Sequence, residues 1–328
     1  MAIRKKLAGH LYPPRSLGLL RDLALRIGLV QETVEPVLEN PALLIFAADY
    51  GFSNRDFTSL PGLSTADLLL DFLNEGAAIN VFARENNLMV KVIDVGVDHS
   101  FEGTLGYWLH QGTHFFNRKV NRGCRDMAEF PAMSTAETEK AIQVGREMVE
   151  MEYVKGSNTI GIGDVGVGNT ASAAALCTAI TTGNPEHYII RRDITDKAYE
   201  AKLKLVKKAL GRHPMTHDPH TLLSLFGGFE IAAMTGAILQ AAECRMLIMI
   251  DGFVSGTAAL VASQMCPEVL EYCVFCTVSA EKAHQNLLDH LEVTPLLQLS
   301  LGIGEGSGIA LAFPIIRSAA AILRHVGN

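Results

Sequence analysis

The segment TIGIGDVGVGNTASAAA, residues 159–175, joins a short apolar run, a glycine-rich turn and an alanine-rich stretch. A continuous apolar run of this length suits a β-strand that is buried on both faces, as in a parallel sheet. The alanine-rich stretch has the composition of a closely packed helix. The segment therefore predicts a strand–turn–helix unit, which is the building block of α/β folds.

Three other apolar runs end in the same way, with an aspartate followed closely by a glycine. They are LLIFAADYG (43–51), VKVIDVG (90–96) and MLIMIDG (246–252). Each precedes a stretch with helical spacing, a pattern that favours βαβ units. In open parallel sheets the carboxyl ends of the strands bind ligands, although aspartate and glycine are also common where strands simply stop.

The fold that these units predict is an α/β protein with a parallel-sheet, Rossmann-like large domain. Helices are expected over residues 65–83, 135–153, 196–210, 228–243 and 309–323. The alternating charges of 196–210 are typical of a solvated helix. We expect a single functional unit over 1–328, in which a large domain covers about 40–275 and a smaller helical domain is drawn from the chain ends, about 1–39 and 276–328.

Charge and composition exclude several classes of protein. The 328 residues include 28 basic and 35 acidic side chains, a net charge of −7 that lacks the footprint of a nucleic-acid or anionic-membrane binder. The longest uncharged run, 165–185, contains seven Ser, Thr or Asn residues, so no span of about 20 mainly apolar residues is expected to cross a membrane. The basic N-terminus has no apolar core of a secretory signal, which predicts a cytoplasmic protein with free thiols.

Two glycine-rich loops carry the chemistry that can be predicted from residue types. The turn at 163–170 precedes a helix, and glycines with exposed helix N–H groups favour an anion such as phosphate, although a tight turn capped by Asn169 or Thr170 is the alternative. In the loop LGIGEGSG (301–308), Glu305 is a lone carboxylate among glycines, which predicts a general base with a raised pKa or an exposed loop residue. Cys273 and Cys276 lack a second pair of zinc ligands, so no metal site is predicted.

Segments along nearly the whole chain together carry a family resemblance. They are PPRSLGLL (13–20), IFAADYG (45–51), EGAAINVFAR (75–84), VIDVGVD (92–98), RGCRDMAEFPAM (122–133), IGDVGVGNTASAAAL (162–176), FGGFEIAAMTGAILQAA (226–242), IDGFVSGTAALVA (250–262) and LGIGEGSGIALAFP (301–314). In this order they resemble the nicotinate-nucleotide:5,6-dimethylbenzimidazole phosphoribosyltransferases, which make the lower-ligand nucleotide of cobamides such as vitamin B12.

The resemblance implies a cytoplasmic transferase that needs no cofactor and no metal. In that family an aromatic base attacks C1′ of nicotinate mononucleotide, nicotinate leaves and the configuration inverts. By resemblance Glu305 is the catalytic general base. The residues implied to bind the nucleotide and its phosphate are Asp164, Gly166, Gly168, Asn169, Thr170, Ser172, Arg191 and Arg192. The residues implied to form the acceptor pocket are Tyr50, Leu60, Pro61, Asp67, Val165 and Ser279.

The sequence departs from the family pattern mainly around these two pockets. Tyr50 stands where the family has His, Leu60 and Asp67 where it has Tyr and Gln, and Asp164-Val165 where it has Glu-Met. The family segment Gly-x-Gly-Thr-Gly is replaced near 189–193, where Arg191 and Arg192 could supply bidentate phosphate contacts instead. In the later loop Thr277 replaces a His.

Two interpretations follow from the resemblance. In the first, the chain is an active enzyme whose acceptor is dimethylbenzimidazole, another benzimidazole or purine, or a phenol such as p-cresol. In the second, it is a catalytically weak or inactive partner subunit of a heterodimeric phosphoribosyltransferase. Its partners would be nicotinate mononucleotide, an aromatic base or phenol, and a second subunit that is identical or paralogous.

Overall fold

The computed structural model describes residues 2–8, 16–52, 62–101, 113–191 and 194–325. The strands are β1 (Ala42–Ala48), β2 (Met89–Gly96), β3 (Thr113–Asn117), β4 (Thr159–Val165), β5 (Leu247–Ile250) and β6 (Cys273–Phe275). They form one parallel sheet in the order β3-β2-β1-β4-β5-β6. The four predicted strands are confirmed as β1, β2, β4 and β5, and β3 and β6 are additional.

The helices surround this sheet. They are α1 (Ala2–Ala8), α2 (Leu19–Val30), α3 (Thr65–Leu73), α4 (Ala78–Glu85), α5 (Thr135–Val154), α6 (Asn169–Thr181), α7 (Asp196–Arg212), α8 (Pro219–Phe226), α9 (Phe229–Glu243), α10 (Phe253–Met265), α11 (Lys282–His290) and α12 (Ser307–His325), with short 3-10 turns at Pro185–His187 and Pro267–Tyr272.

Side chains of β1 alternate between two hydrophobic cores, one on each face of the sheet. Leu44 and Phe46 pack in the core that α5 to α11 cover, and Leu43 and Ile45 pack in the core that α1 to α4 and α12 cover. A strand that is buried on both faces has apolar residues at every position, which is why β1 reads as a continuous apolar run. The α/β, Rossmann-like prediction is confirmed.

The strand order determines where a ligand can bind. The chain moves outward from β1 through β2 to β3, and then returns to the other side of β1 with β4 and continues to β6. Connections therefore leave in opposite directions on the two sides of the β1–β4 boundary, and open parallel sheets generally bind ligands near such a boundary, at the carboxyl ends of the strands.

Local capping explains where several helices begin and end. Ser134 and Glu137 form a reciprocal capping box at the start of α5, at the boundary that the sequence predicts. The helical stretch predicted over 65–83, which Gly76 interrupts in the sequence, is two helices, since α3 ends at Leu73 and α4 begins at Ala78. Between them Glu75 adopts φ 58°, a left-handed conformation that ends a helix.

The two chain ends meet on one face of the sheet. Helices α1, α2 and α12 pack against one another, whereas α11 packs against α6 and α10 on the opposite face. The division into a large domain and a small helical domain stays a prediction. By length and composition α12 could cross a membrane, but 56% of its apolar window is buried in the core, as for an internal helix.

Candidate active site

A cavity of about 380 Å³ lies at the carboxyl ends of β4, β5 and β6. Its wall comes from the segment after β4, the residues that follow β5 and β6, the start of α3, one side of α7 and the loop before α12. The lining residues are Leu63, Leu68, 164–170, Ile190, Ile194, Lys202, 251–254, Thr277, Ser279, Glu281, 301–305, Ser307 and Gly308. Both glycine-rich loops that stand out in the sequence therefore face the same cavity.

The first glycine-rich loop lies tightly against the end of β1. A Cβ atom on Gly166 would stand 2.7 Å from the carbonyl oxygen of Ala48, so no larger residue fits there without a shift. Gly168 has φ 100°, a left-handed conformation that favours glycine, and α6 begins at the next residue. The loop thus brings the N-terminus of α6 to the cavity, where helix N–H groups and the helix dipole favour an anion.

Lys202 lies beside this helix start, although it is not among the residues predicted from the sequence. Only 3% of its surface is exposed, and its Nζ atom donates a hydrogen bond to Thr170 Oγ1 at 3.0 Å. Burial lowers the pKa of Lys202 to about 8 against the opposing charge of Glu281. The prediction that α7 is simply a solvated helix is wrong here, since Lys202 occupies the buried stripe that also contains Ala198 and Leu205.

The second loop holds Glu305 in an unusual backbone conformation. Glu305 has φ 66°, and its neighbours Gly304 and Gly306 have φ 68° and 80°. Such a conformation costs a non-glycine residue on the order of 1 kcal/mol and persists only where the surroundings hold it. Burial, followed by the charges of Asp164 and Asp251, raises the pKa of Glu305 to about 7.

Asp251, at the end of β5, holds this loop in place. Its two carboxylate oxygens accept the backbone N–H groups of Gly306 at 2.9 Å and Gly308 at 2.8 Å. Burial raises the pKa of Asp251 to about 6 despite these hydrogen bonds. Asp164, whose side chain accepts from Asn169 Nδ2 at 2.8 Å, has its pKa raised to about 7 by burial and by the charge of Asp251.

Three carboxyl groups therefore line one part of the cavity. Like charges in a poorly solvated site disfavour full ionisation, so a proton can be taken up there near neutral pH. The same cavity also contains the N–H groups at the start of α6 and the cation of Lys202, with Glu281 in the same lining. These groups together suit a ligand that has an anionic group and a reacting centre that releases a proton or carries positive charge.

Ser279 and the residues after β6 complete the wall. The backbone N–H of Ser279 donates to His284 Nδ1 at 3.1 Å. Burial lowers the pKa of His284 to about 4, so its ring is neutral and can accept this hydrogen bond. The Thr277 hydroxyl donates to the carbonyl oxygen of Asp251 at 3.0 Å, which connects this wall to the Glu305 loop.

The cavity brings together Glu305, Asp164, Val165, Gly166, Gly168, Asn169, Thr170 and Ser279 of the predicted site residues. Other predicted residues lie elsewhere. Ser172 is buried and donates to the carbonyl oxygen of Phe226. Tyr50 is buried behind the first loop, where its ring would be 3.6 Å from a Cβ atom on Gly166 and its hydroxyl donates to the buried carboxyl group of Glu230.

Two further predicted residues have surface partners. Asp67 accepts the backbone N–H of Ser64 at 3.0 Å as part of the α3 capping box. The exposed guanidinium of Arg191 contacts Asp196 at 2.8 Å, while its backbone N–H donates to Glu281 at 3.1 Å. Leu60, Pro61 and Arg192 lie outside the described residues. Roles for these predicted residues in ligand binding stay predictions.

Metal ligands are not gathered anywhere in the part of the chain that the structure describes, since no three His, Cys, Asp or Glu side chains form a group that could hold an ion. All six cysteines are unpaired thiols.

Comparisons with known proteins match this chain over nearly its full length. A family model described as "Phosphoribosyltransferase" matches residues 1–328. The nicotinate-nucleotide–dimethylbenzimidazole phosphoribosyltransferase of Dechloromonas aromatica is 41% identical over 100% of this chain and 93% of its own length. The protein of that name from Photobacterium profundum is 35% identical over 99% of this chain and 94% of its own. Among solved structures, CobT from Thermus thermophilus superposes with a TM-score of 0.91 at 34% identity, covering 99% of this chain and 95% of that one.

Proposed function

Since this chain belongs to the phosphoribosyltransferase family, we propose that it transfers the phosphoribosyl group of nicotinate mononucleotide to an aromatic base during the synthesis of the lower-ligand nucleotide of cobamides. The names of its relatives support dimethylbenzimidazole as the acceptor. A ring nitrogen of the base forms a bond to C1′ of the ribose as the bond from C1′ to the pyridinium nitrogen breaks. The bonding electrons leave with nicotinate, and the ring proton of the base passes to Glu305.

One observation carries this proposal most strongly. Glu305, whose pKa is raised to about 7, shares a cavity with a glycine-rich helix start. A general base works best when its pKa lies near the operating pH, because it is then both ionised and basic enough to take a proton. A cavity that contains both an anion-binding helix start and a proton-accepting carboxylate matches a donor with a 5′-phosphate and an acceptor that loses a proton.

The phosphate of the donor is proposed to bind at the start of α6. Gly166 and Gly168 allow the loop to pack against Ala48 and Phe52 and to turn into α6, and Lys202 supplies a buried cation beside Thr170. Helix N–H groups and a lysine together form a typical phosphate site. The nicotinate ring, which is a cationic pyridinium in the mononucleotide, would then lie toward the carboxyl groups of Asp164 and Asp251, which favour positive charge.

The acceptor is proposed to bind against the apolar part of the wall. Leu63, Leu68, Leu301 and Ile303 all line the cavity. A flat aromatic ring buries apolar area against such side chains at about 25 cal/mol per Å². This wall suits a benzimidazole, and it also suits p-cresol, so the assay below compares both classes of acceptor.

Location and assembly are proposed from the same family membership. We infer a cytoplasmic enzyme that works as a dimer, and the full-length match to biosynthetic relatives supports this inference.

A product assay with the purified chain tests the proposal. Nicotinate mononucleotide is incubated with dimethylbenzimidazole, adenine, phenol or p-cresol, and the released nicotinate and the new riboside phosphate are quantified together. We expect both products in equal amounts with dimethylbenzimidazole. Products that appear only after a co-encoded homologue is added would favour the partner-subunit interpretation, and no product under either condition would contradict the proposed function.

A further inference from the structure

The hydroxyl group of Thr65 joins two parts of the cavity wall that are far apart in the chain. Thr65 is the first residue of α3 and is fully buried. Its Oγ1 atom accepts the backbone N–H of Val167 at 3.0 Å and donates to Asp49 Oδ1 at 2.6 Å. Val167 is the residue between the two glycines of the first loop, so this hydrogen bond fixes the middle of that loop.

Asp49 in turn is fixed to the end of the sheet. Its second carboxylate oxygen accepts the backbone N–H of Asp98 at 2.8 Å. Its own backbone N–H donates to the carbonyl oxygen of Gly96 at 3.0 Å, and its carbonyl oxygen accepts from the N–H of Cys124 at 3.0 Å. The Asp49 carboxylate is therefore a rigid anchor at the carboxyl ends of β1 and β2.

Helix α3 carries part of the apolar wall. Leu68 lies one turn after Thr65, Leu63 lies just before the helix, and both line the cavity. The capping box between Ser64 and Asp67 fixes the start of the helix, so a displacement of Thr65 would move this wall as well. The position of Thr65 thus affects the apolar wall and the glycine-rich loop together.

The hydroxyl is needed because its single oxygen atom accepts one hydrogen bond and donates another at this position. A hydroxyl can accept the Val167 N–H and donate to Asp49 at the same time, whereas valine has the same shape and can do neither. Loss of the hydroxyl would leave the partly buried N–H of Val167 and one carboxylate oxygen of Asp49 without this partner.

We propose that Thr65 is a positioning residue. It sets the distance between the glycine-rich loop at 163–170, where the nucleotide donor is proposed to bind, and the apolar wall of Leu63 and Leu68, where the acceptor is proposed to bind, and hence aligns the attacking atom of the base with C1′ of the ribose. The role rests on the proposed function. Misplacement of reacting atoms by about 1 Å can lower a rate about 100-fold. A residue that holds both walls should therefore affect the kinetic constants for both substrates.

Kinetics of three variants test this role. We expect Thr65→Val to lower kcat/KM for the mononucleotide and for the base by about tenfold or more, and Thr65→Ser to stay within about threefold of the wild type. Leu68→Ala, which alters only the apolar wall, should affect the constants for the base alone. The control is Thr138→Val, a buried threonine near the start of α5 whose hydroxyl donates to the carbonyl oxygen of Ser134. Constants for Thr65→Val equal to those of the wild type would overturn the proposal.

A measurement without substrate separates this role from the proposed function. Amide hydrogen exchange of the peptide covering 163–170 should speed up in Thr65→Val and not in Thr65→Ser or Thr138→Val, because the Val167 N–H loses its acceptor. Unchanged exchange would contradict the role of Thr65 even if the wild type is active. If the wild type forms no product but Thr65→Val still exchanges faster than the wild type, the hydrogen bond from Val167 to Thr65 is supported and only the proposed function fails. Thr65→Ala replaces Thr65→Val if the latter does not fold.

Discussion

The buried carboxylate of Asp251 accepts the backbone N–H of Gly306, the residue that follows Glu305, at 2.9 Å. Its other oxygen accepts the N–H of Gly308 in the first turn of α12. A carboxylate at the N-terminus of a helix is favoured by the helix dipole, so the end of β5 both caps α12 and sets the position of Glu305. The loop that contains Glu305 is in this way attached to the sheet.

Replacement of Asp251 should therefore lower both the turnover number and the free energy of unfolding. Asp251→Asn has the same shape, but its amide nitrogen faces one of the two N–H groups. We expect it to lower the free energy of unfolding by about 1–3 kcal/mol and kcat by about 10- to 100-fold. Denaturant titration and steady-state kinetics check this. Asp22→Asn, in the exposed first turn of α2, is the control: it removes a helix-dipole interaction of at most about 1 kcal/mol and should leave kcat unchanged.

Glu305→Gln tests the general base directly. Glutamine has the size of glutamate but cannot accept the proton, so turnover should fall about 10²- to 10⁴-fold while binding of the mononucleotide is kept. Initial rates and calorimetric titration with nicotinate mononucleotide measure the two effects. Glu139→Gln, an exposed position on α5, is the control. Turnover of Glu305→Gln within a few-fold of the wild type would exclude this role for Glu305.

The pH dependence of the reaction should follow from the same carboxyl groups. A base must be deprotonated to act, so kcat/KM should rise with pH up to about 7, the raised pKa of Glu305. Because the charge of Asp164 contributes to that raised pKa, Asp164→Asn should move the acidic limb to lower pH. A pH–rate profile of both proteins measures the shift. An acidic limb that stays in place would show that another group controls it.

A substitution at Gly168 tests whether the glycine-rich loop at 163–170 binds the nucleotide donor. Gly168→Ala places a Cβ at φ 100° and 3.2 Å from the ring of Phe52, which strains the loop by about 1–2 kcal/mol. We expect KM for nicotinate mononucleotide to rise about tenfold with a smaller change in KM for the base. Gly211→Ala is the matched control, since a Cβ there meets nothing within 4 Å. Equal effects on both KM values would argue against a phosphate site at this loop.

Several parts of this architecture can be predicted from local sequence. Strands such as β1 are recognisable because burial on both faces leaves an uninterrupted apolar run, and α5 because Ser134 and Glu137 form a capping pattern. The strands β3 and β6 are not among the predicted strands. β3 lies at an edge and packs partly exposed phenylalanines, and β6 has only three residues, too few to show a period.

The candidate site, too, could be predicted only in part from the sequence. Glycines mark both loops, because Gly168, Gly304 and Gly306 adopt positive φ values that favour glycine. Lys202, by contrast, falls within a stretch predicted to be solvated, since charged residues surround it in the chain. The local sequence therefore determined four of the six described strands, most of the described helices and the two loops, each of which depends on neighbours within a few residues. Only the tertiary structure decided that Asp251 holds the Glu305 loop, 55 residues away, and that Thr65 holds the loop at Val167, 102 residues away. Such contacts depend on which strand ends become neighbours in the sheet, and no local pattern of side chains encodes that.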